Sequence, residues 1–155
     1  MRVKTFVVAA ILSAANASAM AQEAQKIAFS GDMVLGNTPR MGPPPPCILT
    51  NRFVRGDQVV FRIRLTDPQT GQNVDASGVT SLRVEVSNGQ TFPMKFGPHP
   101  PRNSTDNFWT AGWRIPVDHP TGSLNYKVIA VAKDGSTLSW EPFKVAASQL
   151  TVVAE

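Results

Sequence analysis

Between Gln58 and Thr66 the chain reads QVVFRIRLT, with apolar Val59, Phe61, Ile63 and Leu65 alternating with Val60, Arg62, Arg64 and Thr66. Side chains of an extended strand project alternately to opposite faces, so a step of two fits a half-buried strand. A helix would need apolar steps of three and four. The step of two recurs at Leu82, Val84 and Val86, at Trp109, Ala111, Trp113 and Ile115, and at Leu124, Tyr126, Val128, Ala130 and Ala132. Turn residues punctuate these runs: Gly56-Asp57, DPQTGQ at 67–72, Asn88-Gly89 and Asp134-Gly135. Asn88-Gly89 predicts a two-residue hairpin, because both residues take positive φ cheaply. The returning strand QTFPMKF contains Pro93, which cannot donate to a ladder and so predicts an edge position. No amphipathic helix is evident, and roughly seven strands spaced about ten residues apart predict an all-β antiparallel sandwich.

The first residues, MRVKTFVVAAILSAANASAMAQ, have Arg2 and Lys4, then an apolar run, then small residues, which is the pattern of a secretory leader. Cleavage after Ala19 or Ala21 fits the small-residue sites, and Ala21 is preferred, which makes residues 1–21 the signal peptide. A periplasmic or secreted protein is expected, with no membrane span once the leader is removed. Removal of Arg2 and Lys4 leaves 13 basic against 11 acidic residues, a net charge of +2, too small for a nucleic-acid binder. Arg52, Arg55, Arg62 and Arg64 form the densest basic group and read as a solvated strand face. The remaining length suits one domain. It divides into a proline-rich, irregular arm at 22–46, with KIAFS at 26–30 as its one candidate strand, and a strand-patterned body at 47–155.

Three stretches of the body, RGDQVVFRIRLTDPQTGQ at 55–72, PVDHPTGSLNYKV at 116–128 and SQLTVV at 148–153, are similar to bacterial immunoglobulin-like or fibronectin-type-III-like domains. That resemblance implies an immunoglobulin-like β-sandwich with Tyr126 facing inward, and roles in adhesion, spacing or binding. The paired inter-sheet cysteines of antibody-type domains are absent.

The chemistry available is sparse. Cys47 is the single cysteine, so an intramolecular disulfide and a C-x-x-C-H haem site do not arise, and no short-spaced zinc motif occurs. No strand-to-helix nucleophile elbow accompanies the thiol, and an enzyme is not expected. Three readings of Cys47 stand: a buried residue opening CIL, an intermolecular disulfide, or a soft-metal ligand. Burial fits the apolar residues after it best. Cys47, Met94 and His99, with His119, Met33 and Met41 in reserve, would suit copper, although the short cysteine-histidine-methionine spacing of cupredoxins is missing. Trp109 and Trp113 share one strand face, where core packing explains them better than a sugar platform. The segment GPHPPRNSTDN at 97–107 is the longest irregular stretch of the body and the first candidate for binding. His99, Pro100, Pro101, Arg102 and Phe108 are its candidate contact residues. The expectation is an exported, non-catalytic accessory domain that engages a protein partner. A copper-binding or redox accessory protein using Cys47, Met94 and His99 is the alternative.

Overall fold

The computed structural model describes residues 27–43, 47–99, 104, 106–146 and 148–154. The leader, the prolines at 44–46, and Pro100, Pro101 and Arg102 of the candidate binding segment lie outside the described residues. In chain order the strands are β1 (Ala28–Leu35), β2 (Ile48–Leu49), β3 (Arg52–Val54), β4 (Gln58–Thr66), β5 (Val79–Val86) and β6 (Thr91–Pro93). They continue with β7 (Lys95–Pro98), β8 (Asn107–Arg114), β9 (Gly122–Leu124), β10 (Tyr126–Ala132), β11 (Thr137–Trp140) and β12 (Leu150–Val153).

One sheet has the order β2-β1-β4-β8-β7 and a second β11-β10-β5-β6, both antiparallel throughout. The apolar faces of these two sheets meet. Phe61 of β4 lies 5.2 Å from Tyr126 of β10, and Phe92 of β6 lies 6.0 Å from Trp113 of β8, ring centre to ring centre. Val59, Phe61, Ile63, Leu65, Leu82, Val84, Val86, Trp109, Trp113, Tyr126 and Val128 are all buried in one cluster, as their alternation predicts. Burying each of the larger side chains contributes about 1.5–3 kcal/mol, so this seam is the main source of stability. A third sheet, β3-β12-β9, closes one end around Phe53, Leu150 and Val152; in it β3 runs parallel to β12. The architecture is all-β and sandwich-like.

Several expected strands are divided, and the described residues form twelve short strands where about seven were expected. QTFPMKF splits at Met94: β6 pairs with β5 in one sheet and β7 with β8 in the other. Pro93 occupies an edge, as expected, and the Met94 N–H donates to the Leu82 carbonyl at 2.9 Å while its side chain is buried in the core. The hairpin after β5 has a three-residue loop rather than two, with the Val86 N–H donating to the Gln90 carbonyl at 2.9 Å. Only its Gly89 takes positive φ, at 87°, so a glycine bulge replaces the expected Asn-Gly turn.

The arm is more ordered than its composition predicts. β1 extends past KIAFS to Leu35, pairs with β4 at every position from Ala28 to Leu35, and buries Met33, Val34 and Leu35. The expected burial of Cys47 is not found. Cys47 is half-buried at φ 46°, and Ile48 and Leu49 after it are 49 % and 66 % exposed. The left-handed turn at Cys47 swings the chain into a two-residue strand at the sheet edge, where little remains to cover CIL. The 97–107 loop is also shorter than expected, because Gly97 and Pro98 belong to β7 and Asn107 opens β8.

Candidate functional site

Two adjoining surfaces carry the polar and aromatic groups that the core does not use. The first is the outer face of the five-stranded sheet. Arg62 of β4 faces Asp32 of β1 in register and grips its carboxylate with two hydrogen bonds, from Nε and Nη2, both 2.7 Å. Such a fork is the strongest geometry an arginine and a carboxylate can make. Hydrogen bonding to Asp32 drives the Arg62 guanidinium above its ordinary value, and the nearby Cys47 and Asp106 add to the effect. Arg64 approaches Asp106 at 3.6 Å. Both guanidinium groups lie over the Phe108 ring, at 5.1 and 4.7 Å from its centre. The basic strand face is thus matched by carboxylates and an aromatic, which fits the modest charge read from the sequence.

His99 follows β7 on the far side of this face, its N–H donating to the Asp106 carbonyl at 3.1 Å. Burial, and then the Arg62 charge, lower its pKa, so the imidazole is held neutral near pH 7. Its Nε2 is buried with no partner among the described residues. The structure therefore brings His99, Phe108 and Cys47 toward Arg62. It does not bring Met94 with them. Met94 enters the core between β6 and β7, and the extended β7 places it roughly 16 Å from His99 at the usual rise per residue. Cys47, just before β2, and His99, just after β7, lie at opposite edges of the five-stranded sheet, so the candidate copper ligands Cys47, Met94 and His99 are not gathered at one point. Among the described residues no three of His, Cys, Asp and Glu gather in a metal-holding group. His119 is engaged elsewhere, edge-on to Trp113 at 5.3 Å.

The second surface is a cleft of about 570 Å³ where β1 passes the end of the opposite sheet. Gly31, Asp32 and Met33 form one wall, Leu49, Thr50 and Asn51 its end, and Tyr126, Trp140 and the segment 141–143 the other wall. Gly31 suits the close approach here. A Cβ at this position would press on Ile63 Cδ1 and stand 3.1 Å from the Arg62 carbonyl oxygen and 3.2 Å from the Trp140 ring. Phe143, 84 % exposed, and Leu49 stand at the mouth. Asp32 belongs to both surfaces, since it lines the cleft and holds Arg62.

Tyr126 crosses from the core to this cleft. Burial, reinforced by the Asp32 carboxylate, pushes its phenol up to about 12. It is the one tyrosine of the chain, so an ultraviolet phenolate titration reads it directly. The native protein is expected to titrate near pH 12 and the urea-unfolded protein near 10. Because the folded value is raised, this stabilising contribution is complete below pH 10 and is lost as pH climbs toward 12. A native midpoint at 10 would place the phenol in water.

The cleft escaped sequence reasoning because its two walls come from residues 31–33 and 126–143, at opposite ends of the described chain. Trp140 and Phe143 were the only local hints. Among the described residues no helix is long and apolar enough to cross a membrane. No protein-family model matches the chain, and no curated protein matches it either.

Proposed function

We propose that this chain is an exported, non-catalytic binding module that engages a protein partner in the periplasm, on an immunoglobulin-like scaffold. The parallel pairing of β3 with β12 and the inward Tyr126 support that scaffold. One observation carries the functional reading: a cleft of about 570 Å³ opens beside exposed Leu49 and Phe143, with half-buried Trp140 on its wall. Large apolar groups left in water around an aromatic-lined concavity mark sites that another molecule covers. The paired charges of Asp32, Arg62, Arg64 and Asp106 beside it would form a polar rim.

Wild-type protein immobilised in a periplasmic extract is expected to retain a defined partner. The Leu49→Asp/Phe143→Asp variant should lose at least tenfold of it, the effect of about 1.4 kcal/mol at a contact of this kind. Both positions are exposed, so the variant should keep the fold, checked by its melting temperature. Equal retention by both proteins would remove the cleft as the contact surface.

A further inference from the structure

Part of one edge of β1 is unpaired among the described residues. In an antiparallel ladder the main-chain groups of alternate residues point to opposite neighbours. The Gly36 N–H donates toward β4, to the Gln58 carbonyl, so the even-numbered residues of β1 pair inward. Met33 points the other way, its carbonyl accepting from the Thr50 N–H at 3.2 Å. Gly31 and Phe29 share that orientation. β2 fills the neighbouring lane only beside Val34 and Leu35, Thr50 closes it beside Met33, and the chain then leaves for β3. Beside Gly31 the lane opens into the cleft. The N–H and C=O groups of Phe29 and Gly31 have no partner among the described residues.

The two carboxylates of the cleft are already paired, Asp32 with Arg62 and Glu141 with Lys144 at 3.4 Å. Unpaired main-chain groups at strand spacing, beside an apolar concavity, match a polypeptide in extended form. We infer, building on the binding reading above, that the partner lays an extended segment into the lane that β2 leaves open. Its main chain pairs with Phe29 and Gly31, and one apolar side chain enters the cleft against Trp140. Side chains of that segment alternate between the cleft and solvent, so an apolar residue at every second position is the recognised pattern.

The test selects random dodecapeptides displayed on phage against the mature chain, then synthesises a selected peptide with one backbone N-methyl group at a time. Binding of each form is measured by calorimetry. N-methylation at alternate positions should weaken binding about tenfold or more, by removing a donor and obstructing the ladder, while the intervening positions change little. Leu49→Asp and Phe143→Asp should each weaken the parent peptide. Peptides that require Leu49 and Phe143 but tolerate N-methylation everywhere would overturn strand pairing and leave the cleft as a binding site. Peptides indifferent to both substitutions, or no selected peptide at all, would overturn strand pairing and count against the cleft as well. A dimer dissolved by Leu49→Asp in sedimentation would assign the lane to a second copy and overturn the partner segment.

Discussion

Replacing Phe61 by alanine is expected to cost about 4 kcal/mol of folding stability, read as a fall in the urea midpoint followed by tryptophan fluorescence. Phe61 has no solvent exposure and sits where the two large sheets meet, its ring 5.2 Å from Tyr126 and 6.4 Å from Phe92. Removing it takes away transfer energy and leaves a cavity that the paired strands on either side, β1 and β8, cannot close. Phe61→Leu keeps most of the volume and should cost about 1.5 kcal/mol or less. If alanine cost no more than leucine, the seam would be able to collapse around the gap, and the two sheets would not be held as a fixed pair.

The alternation that makes Phe61 critical is also what the sequence displays most openly. One-sided burial of β4, of β8 and of β5 from Leu82 to Val86 follows from spacing alone, whereas β10 also buries Ile129 on its other face, and the edge position of Pro93 follows from its missing N–H. The second half of β1 was hidden because Ser30, Gly31 and Asp32 have poor strand propensity. Tertiary contacts override it: Asp32 is held by Arg62, 30 positions away, and Gly31 is suited by the nearness of Ile63 and Trp140. CIL misled for the opposite reason. Its apolar character suggested burial, but the turn at Cys47 and the short edge strand leave Ile48 and Leu49 in solvent. Apolar residues that a fold leaves uncovered cannot be told from core residues by composition. Of the candidate site, the segment around His99 and Phe108 was legible as an interrupted pattern. The cleft was not, because it depends on where β2 stops beside β1.

The second large effect concerns Asp57, which composition would assign to a surface turn and which the structure buries completely. Its carboxylate accepts hydrogen bonds from the Thr38 hydroxyl, from Arg40 Nη2 at 2.7 Å and from the Val54 N–H at 2.9 Å. Its own N–H donates to the Val54 carbonyl at 3.0 Å, and its carbonyl accepts from the Ile115 N–H at 2.9 Å. Asp57 therefore ties together the segment after β1, the end of β3 and the exit of β8. Asp57→Ala would strand a hydroxyl, a main-chain N–H and a guanidinium that water reaches only in part, and should cost about 3–5 kcal/mol. Arg40→Ala should cost about 1 kcal/mol, because that side chain is 45 % exposed and its charge can be hydrated once released. Chemical denaturation of the two single variants and the double variant separates these contributions. A loss below 1 kcal/mol for Asp57→Ala would mean that the three donors find other acceptors. The effect should also reach the cleft. Thr38 and Arg40 fix the chain just before it enters the proline run and turns at Cys47 into β2, so loosening them frees the strand that carries Leu49 and bounds the open lane. Asp57→Ala should accordingly weaken partner capture even at a temperature where the domain stays folded.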